Sequence, residues 1–225
     1  MLFPAMIATG MSPLAANVTN SVSTWPGYVG GVAGFREELG EQRSRVAPLI
    51  GATVAGSTLG CALLLLTPSA AFDIVVPFLV LVATALTAAG PAVRQRFGQA
   101  HADGWPSGAG PRVAVGAAAV YGGYFGGGLG VIFLAVLGLV MGGSLRRLNA
   151  AKAALTLVDA SVSVVVFGLF GPVRWTAVAV AAPATLVGGF VGARVARRID
   201  ERLLRIVVVL FGLIAAAWLF FDLAR

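Results

Sequence analysis

The chain has 225 residues, 58% of them hydrophobic and only 11% charged, where a soluble chain carries roughly 25% charged residues. With a mean hydropathy of +0.92, there is too little charge to cover a globule in water, which excludes a soluble enzyme and leaves lipid as the main surroundings. Sixteen basic against nine acidic residues give a net charge of +7. The arginines fall in short clusters between apolar runs, as in loops at a membrane surface, so the partners expected are a lipid bilayer and not nucleic acid.

Runs long enough to cross a bilayer, about 20 residues each, follow one another at 12–35, 46–67, 72–90, 113–143, 148–171, 175–193 and 203–221. Residues 1–9 form an apolar stub too short to cross, and the first ten residues lack the basic region of a cleaved signal. The segment 91–112, with three prolines, three arginines and His101, reads as an aqueous linker between an N-terminal unit, 1–90, and a C-terminal unit, 113–225. The fold class predicted is an all-α polytopic membrane protein of seven transmembrane helices plus the stub. Cys61 stands alone in an apolar run and His101 alone in the linker. No cofactor or metal is therefore expected.

An internal repeat organises these spans. Asn149 follows Asn17, Thr156 follows Thr24, Gly188 follows Gly56 and Gly192 follows Gly60, each by 132 residues. Such a constant interval predicts two homologous blocks of about four helices. Subtracting 132 from the glycine-rich stretch 122–130 places its partner before residue 1, so the first helix of the first block is expected to be truncated. On this reading the chain starts at an internal methionine and residues 1–9 are the end of that helix.

The chemistry-bearing residues lie on one stripe. Asn149, Lys152, Thr156, Asp159 and Ser163 are spaced 3, 4, 3 and 4 apart and share a helix face. Their repeat partners, Asn17, Asn20, Thr24, Gly27 and Gly31, make a polar stripe that turns into a glycine groove. Ionisable groups inside a membrane are costly and mark function by default. Lys152 can attract an anion, or snorkel to the interface from its place near Arg146 and Arg147. Asp159, deeper in the run, can pair with Lys152 or carry a proton. Asn17 and Asn149 serve either a solute path or interhelical hydrogen bonding.

No charge falls between Arg112 and Arg146, which is more than one perpendicular crossing needs. Either that span is tilted, or its glycines split it into two half-helices. In the second case, amides around Gly126, Gly127 and Gly128 would hold an anion. Tight helix packing through Gly122, Gly126 and Gly130 is the alternative, and the pairs Gly56 with Gly60 and Gly188 with Gly192 read as packing contacts. An intramembrane enzyme is not expected, because a serine protease needs a buried histidine as base and the one histidine is in the linker.

The glycine stretch 122–130, LRRLNAAK at 145–152, GGFVGAR at 188–194 and the closing apolar helix together resemble the sulfite exporter TauE/SafE family. In the first half, SPLAANVTN at 12–20 and GGVAGFR at 30–36 are similar too. The resemblance implies a multi-pass inner-membrane protein of about eight helices in two repeats, exporting sulfite or organosulfonates or taking up related sulfur compounds. The function expected is a secondary transporter of small anions working by alternating access; a non-transporting membrane scaffold is the alternative. The sequence leaves a homo-oligomer open. It also gives no orientation. Alternating sides across seven spans puts eight arginines on one side and seven on the other, a tie that one re-entrant span would overturn.

Overall fold

The computed structural model describes residues 2–97, 109–141, 144–196 and 201–223, and every regular element among them is a helix. The stub α1 (Leu2–Ala8) is followed by α2 (Pro13–Ala33), the short α3 (Arg36–Glu41), α4 (Arg43–Leu66) and α5 (Ser69–Phe97). After the linker come α6 (Ala109–Tyr124), α7 (Leu129–Met141), α8 (Leu145–Phe170), α9 (Trp175–Ala196) and α10 (Glu201–Leu223). The stretches Arg43–Leu66, Ser69–Val93 and Arg146–Phe170 are long and apolar enough to cross a membrane. Shorter apolar stretches occupy Leu129–Met141, Trp175–Gly188 and Ile206–Phe221. Leu66, Val180, Phe170 and Phe221 all lie on the outside, each more than 70% exposed, a surface that only lipid accommodates.

Local signals place the helix starts. Ser12 and Ser144 are N-caps whose hydroxyls accept from the amides of Ala15 and Arg147, and proline at the first position of α2 gives up no hydrogen bond there. The starts also share an interval. α8, α9 and α10 begin at 145, 175 and 201, each 132 residues after α2, α4 and α5 at 13, 43 and 69. The two cap serines stand the same distance apart.

Contacts fix the direction of each helix. α2 is antiparallel to α8, since the Trp25 indole donates to Ser161 and the Arg174 amide, just past α8, donates to Thr19. α4 runs parallel to α8, through Ser57 with Asp159 and Cys61 with Ser163. α6 runs parallel to α4, with Gly56 against the Gly116 carbonyl and Gly60 against that of Val120. α5 and α10 are antiparallel, Phe78 meeting Phe220 edge to face and Thr84 touching Gly212. α5 therefore ends, and α8 begins, on the same side of the bundle. Two ion pairs agree, Arg146 with Glu38 and Arg147 with Glu41, because they tie the start of α8 to α3.

The expected span at 113–143 is thus not one helix. It breaks at residues 125–128 into α6 and α7, and α7 returns to the side from which α6 set out. The reason is local: Gly126 and Gly128 have φ of +75° and +74°, a left-handed backbone that reverses the chain and that residues with a Cβ rarely adopt. α5 also differs from expectation, continuing through Pro91 to Phe97, seven residues into the expected linker. His101 lies outside the described residues.

Candidate functional site

Two buried cores flank the break. Phe3, Val18, Leu64, Phe72, Phe125 and Phe167 form one. Leu49, Val115, Phe133, Leu137, Leu148 and Leu155 form the other. Between them the α6–α7 loop faces the stripes of α2 and α8 across a cavity of about 280 Å³, room for a small oxyanion and some of its water. α2 contributes Asn17, Asn20, Ser21, Thr24 and Tyr28; α8 contributes Thr156, Asp159, Ala160 and Ser163; Gly122 and residues 125–129 close the third wall, with Phe3 from the stub.

Breaking a helix inside an apolar bundle frees carbonyls and amides that must find partners. Asn17, only 2% exposed, donates its amide to the Tyr124 carbonyl at 3.0 Å. The Tyr121 hydroxyl donates to the Gly127 carbonyl at 2.6 Å. The Gly126 amide reaches back to the Tyr121 carbonyl at 3.2 Å. Among the described residues, the amides of Gly127 and Gly128 meet no backbone carbonyl. They precede the first turn of α7, where the helix dipole favours a negative charge.

Asp159 is 4% exposed and its carboxylate accepts the Ser57 hydroxyl of α4. Glycine makes this meeting possible. A Cβ at Gly122 would stand 2.6 Å from the Asp159 carboxylate, and one at Gly123 would strike the Ser57 carbonyl. Beyond Asp159, the Cys61 thiol and Ser163 hydroxyl are 3.5 Å apart. Thr156, 9% exposed, lines the cavity, and among the described residues its buried hydroxyl has no hydrogen-bond partner. A buried hydroxyl left this way is costly unless something else binds it.

Eight of the ten residues singled out from sequence line this cavity: Asn17, Asn20, Thr24, Thr156, Asp159, Gly126, Gly127 and Gly128. Asn149 and Lys152 do not. The Lys152 ammonium donates to the Asn149 side chain at 2.9 Å, and its stem lies beside Gly130. Asp159 is met by Ser57 rather than by Lys152. The expected glycine groove of α2 is not part of the cavity: Gly27 faces the Thr185 carbonyl, Gly31 has nothing within 4 Å, and Tyr28 closes that end.

Sequence reading missed Ser57 and Tyr28. The signal for Ser57 was a second face, since Thr53, Ser57 and Cys61 recur every four residues and all three are fully buried. Tyr28 continues the spacing of Asn20 and Thr24. Among the described residues no cluster of histidine, cysteine, aspartate or glutamate is suited to a metal ion.

A helical bundle with an apolar exterior and a broken helix beside a cavity that carries polar side chains defines a polytopic membrane protein. The chain matches the sulfite exporter TauE/SafE family over residues 1–219 and belongs to that family. No curated protein and no solved structure matches it.

Proposed function

We propose that this chain is a secondary transporter of small anions of the sulfite and organosulfonate kind, acting by alternating access between two repeats in a cell's inner membrane. Membership of a family of sulfite exporters supplies the sulfur. The observation that carries the anion is the break between α6 and α7. Its glycines and the start of α7 line a cavity together with asparagine, threonine, serine and tyrosine, whose side chains can donate to an oxyanion.

The repeats we infer have inverted topology, because α2 and α8 share the 132-residue interval yet run antiparallel. α2, α4, α5, α8, α9 and α10 then make six crossings, with α6 and α7 a re-entrant hairpin between them. This reading changes the count of charge. Among the described residues Arg36, Arg43, Arg45, Arg94, Arg96 and Arg112 join Arg146, Arg147, Arg194, Arg202 and Arg205 on one side, which leaves Arg174 on the other. An excess of that size assigns the arginine-rich side to the cytoplasm.

Flux of sulfite and of methanesulfonate into proteoliposomes tests the reading. The full chain moves at least one of them, and Thr156→Val, inserted normally, moves it more slowly. A chain that inserts and folds but moves neither anion would favour the scaffold alternative.

A further inference from the structure

We propose that the cavity binds a proton together with its anion, and that Asp159 is the proton's site; this rests on the anion reading above. Among the described lining residues Asp159 is the one acid, and no lysine, arginine or histidine stands beside it. Among the described residues no ion pair reaches it, and the described ion pairs lie at the α3 end of α8.

The groups around Asp159 supply no compensating positive charge. On the helices packed against α8, those that titrate are Tyr28 of α2, Arg43, Arg45 and Cys61 of α4, Arg112, Tyr121 and Tyr124 of α6, and the charged residues of α3. α7 has none. Arg43 and Arg45 occupy the first turn of α4, about four turns from Ser57, and Arg112 sits in the first turn of α6. Tyr121 is engaged with the Gly127 carbonyl. On α8 itself, Arg146 and Arg147 pair with Glu38 and Glu41, and the Lys152 ammonium donates to Asn149, which lies on the far side of it from Asp159 in sequence.

An ionised Asp159 and an anion would therefore share one small cavity. Two like charges about 8 Å apart, the width of a sphere holding the 280 Å³ cavity, repel at an effective dielectric of about 20 by enough to weaken binding on the order of 30-fold. Taking up a proton removes that repulsion. Ser57 engages Oδ1, so the proton, drawn from the aqueous phase that delivers the anion, resides on Oδ2. No bond to the anion forms or breaks. The loaded site then carries the anion's charge and one proton more than the unliganded site, so for a monovalent anion the binding step adds no net charge and the membrane potential acts on it weakly.

The test uses the full chain in lipid nanodiscs and methanesulfonate, whose own charge does not change over the range used, with sulfite as a second probe. Equilibrium binding is measured from about pH 5 to pH 9, and proton uptake on anion addition is followed with a pH dye in weak buffer. Wild type is expected to bind on the order of 30-fold more weakly at the alkaline end, and to take up most of a proton per anion bound in the middle of the range where affinity falls with pH, and none at either plateau. Asp159→Asn is expected to bind with the same affinity throughout and take up none. Affinity independent of pH in wild type, with no proton uptake, overturns the proposal and leaves the anion reading standing. A folded Asp159→Asn that binds nothing while wild type binds also overturns it, since the carboxylate is then needed as such. If wild type binds neither probe at any pH, the anion reading falls and the proposal with it.

Discussion

The two halves start their helices at the same intervals and then use them differently. α4 and α9 begin 132 residues apart, but Gly56 and Gly60 of α4 lie directly against carbonyls of α6, whereas Gly188, the counterpart of Gly56, has nothing within 4 Å. α2 and α8 diverge in the same way. Asn17 caps a carbonyl of the broken helix, while Asn149 at the equivalent position accepts from Lys152. Equal sequence position in a repeat therefore predicts helix placement and not contact. What a side chain does depends on what packs beside it, and in this chain the broken hairpin packs beside α4.

The sharpest way to break the comparison is to add volume at the paired glycines. Gly60→Val is expected to cost about 3 kcal/mol by overpacking α4 against the backbone of α6, read as a lower thermal midpoint in detergent. Next in size is the divergent asparagine. Asn17→Ala leaves the Tyr124 carbonyl without its amide donor and is expected to lose about 1–2 kcal/mol, more than Asn149→Ala measured by the same melt.

The stripe separates function from folding. Thr156→Val removes a buried hydroxyl that has no partner among the described residues, so stability is expected to hold or rise, while kcat/KM for anion flux falls about tenfold for one lost hydrogen bond of about 1.4 kcal/mol. A stability loss with unchanged flux would make Thr156 a packing residue. The smallest effect belongs to Gly188→Ala, expected within about 0.5 kcal/mol of wild type because among the described residues an added Cβ there meets nothing within 4 Å.

Much of this was legible from residues alone. Apolar runs predicted five of the long helices to within a few residues, and the start of α5, because a bilayer sets their length and polarity. The 3, 4, 3, 4 spacing on α8 marked Thr156, Asp159 and Ser163. The rest depended on tertiary contacts. Whether residues 122–130 tilt or break is not decided by composition, since glycine permits both close packing and a reversed backbone; the left-handed φ values at Gly126 and Gly128 decide it. Lys152 was drawn to the site by its spacing, yet a long flexible side chain follows its own partners, here Asn149. Orientation stayed hidden for the same reason as the break: one helix miscounted as a crossing reverses every arginine after it.

The central claim is that α6 and α7 form a hairpin which enters and leaves by the same face. It is tested most directly with Cys61 replaced by alanine and single cysteines introduced as Arg112→Cys and Ser144→Cys, at the two ends of the hairpin. A membrane-impermeant thiol reagent is applied to intact cells and, separately, to inverted vesicles. Labelling of both positions in inverted vesicles and of neither in intact cells is the predicted result, with both ends cytoplasmic. Labelling of one position from each side would make 113–143 a true crossing, and would contradict the hairpin, the inverted repeats and the orientation together.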